Sequence, residues 1–326
     1  MIKTYATLGP ACCERNLLAQ MLERGLTGFR LNQSHKTLPE CREWTEELKE
    51  AARMTGVKPE LIIDLRGPEL RLAALPSPVA VADGEAVRFG EGGIPLDGDI
   101  LAALTVGQEI LVDDGAIVLV VEAVSAAGAL CRCVQGGLIE GRKSLTLPGL
   151  DIVRPAVSKA DLDDLAVARE YGVTAVMQPF VRQRSDLEQV REALHRFGLS
   201  DFKIFAKVED AVGVENLTEW MDLADVVTIA RGDLGSNLPL PELPRAQKRI
   251  AKLCRERGQD FLVVTHLLQS MIHSPVPTRA EVTDIYNACL DGAAALMITG
   301  ETAQGKHGLA AVEMLLAVAK IGEEDR

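Results

Sequence analysis

Eight short apolar runs, separated by stretches with helical spacing, constrain the fold of this chain more than any other feature. The runs are Lys3–Thr7, Gly28–Leu31, Leu61–Asp64, Ala175–Gln178, Lys203–Val208, Val226–Ala230, Phe261–Val264 and Ala295–Ile298. Each is too short for a helix and suits a buried strand. Between them, Leu38–Thr55, Lys159–Tyr171, Asp186–Phe197, Leu243–Arg257, Arg279–Leu290 and Leu309–Ile321 read as helices. In Lys159–Tyr171, Leu162, Leu165, Val167 and Ala168 share one face, and Ser158 with Asp161 predicts a capping box. Strand–helix alternation of this kind predicts an α/β fold, a (β/α)8 TIM barrel.

The alternation breaks once, after the third strand. Residues 73–156 show no helical spacing and instead predict strands at Ala86–Phe89, Glu109–Val112, Ile117–Ala123 and Ala129–Val134. Turns fall at Asp113-Asp114-Gly115 and Ala126-Ala127-Gly128. The expected organisation is a barrel built from 1–72 and 157–326, with a small β-barrel-like domain, 73–156, inserted as a lid. What remains without the insert is close to the roughly 250 residues typical of such barrels.

Charges gather at the strand ends. The fifth run ends in Lys207 and Glu209, and the sixth leads into Arg231-Gly232-Asp233. Residues two apart on a strand point the same way, so Lys207 and Glu209 share a side. Two readings stand at this level. The charges are solvated strand ends with a surface ion pair of little energetic weight, or Glu209 and Asp233 hold a hard divalent cation beside the Lys207 ammonium. The barrel reading favours the second, because such barrels keep their active sites at the C-terminal ends of the strands. Arg30, Asn32, Ser34, His35, Asp64, Arg66, Glu69, Arg71, Lys207, Glu209, Arg231, Asp233, Thr265, His266, Glu301 and Thr302 all follow strand ends.

A net charge of −12 argues against a general nucleic-acid or anionic-membrane surface. Seven cysteines without a CxxC pair or zinc spacing predict free thiols in a reducing compartment. The N-terminus lacks the apolar core of a signal peptide, and no long uncharged apolar run occurs, so a cytoplasmic protein is expected. The stretch GETAQGKH at Gly300–His307 is one residue short of a phosphate-binding loop. It has His307 where a Ser or Thr hydroxyl would be needed, so it is set aside.

Several motifs, in order, resemble pyruvate kinase. They are RLNQSH at Arg30–His35, DLRGPELR at Asp64–Arg71, AKVED at Ala206–Asp210, ARGDLG at Ala230–Gly235, SMIHSPVPTRAEVTD at Ser270–Asp284 and TGETAQGKHGLAAVEM at Thr299–Met314. VDDG at Val112–Gly115 and LPG at Leu147–Gly149 add to the likeness. The resemblance covers nearly the whole chain but not the C-terminal α/β domain usual in the family.

The resemblance implies transfer of a phosphoryl group from phosphoenolpyruvate to ADP, giving pyruvate and ATP. By correspondence, Glu209 and Asp233 hold Mg²⁺ or Mn²⁺, while Lys207 and Arg30 contact the transferred group. The substrate carboxylate meets the backbone at Gly232 and Asp233, and Thr265 stands near the carbon that is protonated. Asn32, His35, Arg71 and Lys143 fall on the nucleotide side. Asn32, Ser34, Asp64 and Leu65 occupy the monovalent-cation positions. Leu65 stands where Thr is common and offers no side-chain oxygen, whereas Glu69 is the acid that accompanies potassium dependence, so K⁺ use stays open. Arg66, Leu72, Pro179, Asn237, His266 and Gln269 also depart from the usual residues.

Two other functions fit parts of the pattern. One is a metal-dependent lyase of the related phosphoenolpyruvate/pyruvate barrels, which lack a lid carrying Lys143. The other is a regulatory pseudoenzyme, opposed by the joint presence of Arg30, Lys207, Glu209, Asp233 and Thr265. Without the family's C-terminal domain, the expected assembly is a homodimer through barrel helices such as Arg279–Leu290. No response to fructose 1,6-bisphosphate is expected.

Overall fold

The computed structural model describes every residue except His35, Asp114, Asp151 and Val153. It divides into two compact units, Met1–Gly67 with Pro155–Arg326, and Pro68–Arg154.

The first unit is a closed eight-stranded parallel barrel. Its strands are β1 (Lys3–Thr7), β2 (Gly28–Asn32), β3 (Glu60–Asp64), β4 (Ala175–Gln178), β5 (Lys203–Val208), β6 (Val226–Ala230), β7 (Phe261–Val264) and β8 (Ala295–Ile298). β1 pairs with both β2 and β8, which closes the ring. Alternation along each strand sorts the side chains into two layers. Tyr5, Ile62, Met177, Phe205, Leu262 and Met297 fill the barrel interior, where the Tyr5 and Phe205 rings meet edge to face at 5.9 Å. Their neighbours Ala6, Ile63, Val176, Ile204, Val263 and Ile298 face outward into the layer under the helices. Each fully buried aliphatic side chain in these layers contributes about 1.5–3 kcal/mol.

That alternation also decides what reaches the mouth. Phe205 points inward, so Lys207 and Glu209 do as well. Ile62 points inward, and so does Asp64 two residues on.

The helices follow the sequence pattern with local differences. Leu38–Thr55 begins as a 3-10 turn, Pro39–Cys41, before the helix Arg42–Thr55. Lys159–Val167 stops short of Tyr171, and its capping box forms as expected: Ser158 Oγ accepts from the Asp161 N–H, and Asp161 accepts from the Ser158 N–H. Short helices at Arg231–Asn237 and Gly300–Ala303 open the loops after β6 and β8.

The second unit is antiparallel. One sheet runs Leu145–Thr146, Glu109–Val112, Ile117–Ser125, Gly128–Gln135, Ala86–Gly90, and a two-stranded ribbon pairs Val79–Val81 with Gly137–Ile139. It has its own core, including Leu72, Phe89, Ile110, Leu119, Cys131 and Ile139. Contrary to the absence of helical spacing in the sequence, a helix forms at Gly98–Ala103. A six-residue helix is too short to display a period.

The unit boundaries also differ from the expected 72/73 and 156/157. Leu72 donates its N–H to the Lys143 carbonyl, and Arg71 bridges Ser144, so these residues belong with the insert. Ala156 belongs with the barrel, because its N–H donates to Gln189 and its carbonyl accepts from Gln178. All seven cysteines are free. Among the described residues, no helix is long and apolar enough to cross a membrane.

Candidate active site

The inward-facing residues at the ends of β1, β2, β3 and β5 form one buried charged chain. Arg30 Nε donates to Asp64 at 2.8 Å, and a second guanidinium nitrogen meets the same oxygen. On its other side, Lys207 Nζ lies 3.2 Å from Asp64 Oδ1 and 3.0 Å from Glu209 Oε1. Thr7, level with Arg30 in the sheet register, accepts from Arg30 at 3.3 Å. The Lys207 side chain is 12% exposed, and the carboxyls of Asp64 and Glu209 are almost wholly buried. These are not the solvated strand ends of the simpler reading.

Electrostatics within this cluster do not balance. Burial alone would push Asp64 up, but Lys207 and Arg30 outweigh it and hold its carboxyl below the ordinary range. Burial would likewise lower Lys207, yet Asp64, Glu209 and Asp233 together raise it above a free lysine. Glu209 is the exception. Burial pushes it well above the usual carboxylate range, Lys207 offsets only part of that, and Asp233 and Asp64 add to the rise. Three carboxylates thus face two cations.

Two further contacts set Glu209 in place. Its Oε2 accepts from the Phe180 N–H at 2.7 Å, from a residue whose φ is 49°. The Asn237 amide donates to the Glu209 carbonyl at 3.2 Å and to the Asp233 carbonyl at 3.0 Å. Asn237 therefore ties the strand carrying one carboxylate to the helix carrying the other. Among the described residues no donor makes an aligned hydrogen bond to the buried Glu209 Oε1, although Lys207 Nζ lies 3.0 Å away. An orphaned carboxylate oxygen, raised toward protonation and adjacent to a second carboxylate, is a fitting ligand for a hard cation. Among the described residues no group of three or more His, Cys, Asp or Glu forms a metal cage. A cation held by Glu209 and Asp233 would take its remaining ligands from water and substrate, as Mg²⁺ commonly does.

The other residues singled out in the sequence fall into separate places. Gly232 and Asp233 open the helix Arg231–Asn237. Thr265 follows β7 with φ 77°, and a Cβ at Gly232 would stand 3.0 Å from its Cγ2. Asn32 Oδ1 accepts from the Ser34 N–H at 3.1 Å, within the loop after β2. Leu65 is buried in the layer under the helices, so a monovalent-ion site here would draw its side-chain oxygens from Asn32, Ser34 and Asp64. His35 lies outside the described residues.

Arg71 and Lys143 belong to the inserted unit. Arg71 pairs with Glu69 at 2.7 Å and donates to the Arg142 carbonyl. Lys143 sits between Asp113 at 3.0 Å and Glu140 at 3.3 Å. Sequence reasoning missed Thr7, the Phe180 N–H and the bridging role of Asn237. Thr7 ends a strand and was open to detection; a backbone donor leaves no mark in a sequence.

The fold and the buried charged mouth define a (β/α)8-barrel enzyme with an inserted β unit. Comparison with known proteins narrows this. The sequence model described as the pyruvate kinase barrel domain matches residues 1–312. The chain is 38% identical to a pyruvate kinase of Chlamydia pneumoniae, over 97% of this chain and 67% of that protein. It is 37% identical to one of Mycobacterium tuberculosis, over 99% and 70% of the two chains. Identity to one of Aeropyrum pernix is also 37%, over 98% and 70%. The chain belongs to the pyruvate kinase family and is a phosphotransferase.

Proposed function

We propose that the chain transfers the phosphoryl group of phosphoenolpyruvate to ADP and then protonates the enolate that remains, giving pyruvate and ATP. The observation that carries this reading is the buried Arg30–Asp64–Lys207–Glu209 chain, set beside Asp233. Phosphoryl transfer needs positioning and neutralisation of oxygen charge more than covalent help. Lys207 and Arg30 supply two fixed positive groups for the transferred phosphoryl oxygens, and Asp64 holds both in place. The backbone at Gly232 and Asp233 receives the substrate carboxylate at a helix start. Thr265 delivers the proton to the enolate carbon. Arg71 and Lys143 serve the nucleotide phosphates, with Asn32 and His35. Glu209 and Asp233 hold Mg²⁺ or Mn²⁺, which when bound neutralises phosphoryl and enolate oxygens. Asn32, Ser34 and Asp64 are the oxygen donors available to K⁺.

A coupled assay with phosphoenolpyruvate, ADP and Mg²⁺ tests the reading. Turnover should be present in the unmodified chain and abolished in Glu209→Gln and Asp233→Asn, with both variants folded. Lys207→Met should lose turnover while retaining Mn²⁺ binding. Full activity in Asp233→Asn would overturn the assignment.

A further inference from the structure

The chain leaves β7 through strained backbone. Thr265 and His266 are consecutive non-glycine residues with φ of 77° and 56°. For a β-branched residue such as Thr265 this region is a genuine outlier. Strain of this kind persists only where the surroundings over-determine it.

Here they do. Nε and Nη2 of Arg231 donate to the Thr265 carbonyl at 3.1 and 2.8 Å. The remaining arm, Nη1, meets Asp284 at 2.6 Å, from the helix Arg279–Leu290. Arg231 is 8% exposed, so this guanidinium is no solvated surface charge. A planar fork anchored at both ends fixes the direction of the carbonyl it grips, which a lysine ammonium cannot do. Opposite lies Gly232, where any Cβ would stand only 3.0 Å from Thr265 Cγ2, so the absence of a side chain there leaves room for this rotamer. Immediately beyond, Leu267 and Leu268 are fully buried, and Glu301 accepts from the Leu268 N–H at 3.0 Å. Thr265 is therefore held at its carbonyl and by the anchored chain beyond it.

We propose that Arg231, backed by Asp284, is a positioning residue for Thr265: it maintains the left-handed backbone that aims Oγ1 at the enolate carbon. This rests on the proton-delivery role given to Thr265 above. In that step the enolate electron pair forms a new C–H bond, with a proton drawn from solvent water through Thr265 Oγ1, and the C–O⁻ becomes the pyruvate carbonyl. Arg231 touches neither substrate nor the transferred group in this account. Its loss should therefore damage protonation while sparing phosphoryl transfer, which depends on Lys207 and Arg30.

The test measures the two half-reactions separately in the full chain. ATP formation is followed by rapid quench, and deuterium uptake from D₂O into the pyruvate methyl group by NMR with Mg²⁺ and ATP present. Arg231→Met should lose exchange at least tenfold more than ATP formation, and Arg231→Lys should recover only part of it. Asp284→Asn, which keeps the guanidinium and guards against misfolding of the Arg231 variants, should show the same selectivity to a smaller degree. Adding Arg231→Met to Thr265→Ala should cost no further exchange. Equal losses in both half-reactions for Arg231→Met and Asp284→Asn would overturn the positioning role. So would wild-type exchange in Arg231→Met when Thr265→Ala has lost it. Wild-type exchange in Thr265→Ala would instead overturn the proton-delivery reading, and this inference with it.

Discussion

Lys207 and Asp64 meet at 3.2 Å although the strands carrying them, β5 and β3, are separated by the whole of β4. The contact exists because both side chains point into the barrel from strands on either side of β4. Asp64 also binds Arg30, so a single buried carboxylate organises the two cations assigned to the transferred group.

Replacing Asp64 should therefore cost more than one ion pair. Asp64→Asn removes the carboxylate that both Arg30 and Lys207 contact, and breaking a buried pair from one side typically costs about 3–5 kcal/mol. Urea unfolding should show a loss of that order, with turnover falling alongside it. Wild-type stability would show that Glu209 and solvent already suffice for Lys207.

Much of this was legible beforehand. β1, β4, β5, β6, β7 and β8 run where the apolar runs were expected, because buried parallel strands are continuously apolar and short. Glu209 and Lys207 were identifiable because the two-residue period carries both to the mouth. The helix Arg15–Glu23 was readable, since Leu18, Ala19, Met21 and Leu22 form its buried face, but it was overlooked; Val79–Val81 and Leu145–Thr146 are too short to show a period. The coupling of Asp64 to Lys207 was invisible for a different reason. It depends on strand order and register, and the two residues are 143 positions apart.

At the opposite end of the barrel, Glu60 gives a pH-dependent test. It accepts from Lys3 at 2.6 Å and from Tyr5 at 2.8 Å. Burial alone would raise its pKa, but Lys3, Tyr5 and Lys203 outweigh burial and hold it below the usual range. A depressed carboxylate contributes stability that is present above the unfolded pKa and lost as pH falls through the folded one. Glu60→Gln should be less stable than the parent at pH 7 by about 1 kcal/mol, the scale of one net hydrogen bond. The gap should start to close as the pH falls through the ordinary glutamate value, about 4.3, and vanish below the lower folded value. A gap independent of pH would mean that shape, not charge, matters there.

Gln33 is fully buried, and among the described residues neither atom of its amide has a hydrogen-bond partner. Burying an unsatisfied amide costs about 1–3 kcal/mol. Gln33→Met keeps the volume and removes the polar group, so its thermal midpoint should rise with turnover unchanged. A lower midpoint would reveal a buried water or ion serving that amide.

Asn237 offers the sharpest test of how the metal pair is held. Its one amide group reaches the carbonyls of Glu209 and Asp233, so it fixes the spacing of two backbones without touching either carboxylate. Groups that orient metal ligands from outside commonly govern affinity by 10–100-fold. Asn237→Ala should weaken Mn²⁺ binding by about tenfold on that scale, read by electron paramagnetic resonance. Turnover at saturating metal should recover most of the way, because Lys207, Arg30 and Thr265 stay where they are. Asn237→Asp keeps the size but exchanges a donor for an acceptor facing two carbonyls, and should be worse than Ala. Unchanged Mn²⁺ affinity in both variants would show that β5 and the helix Arg231–Asn237 hold the carboxylate spacing without the bridge.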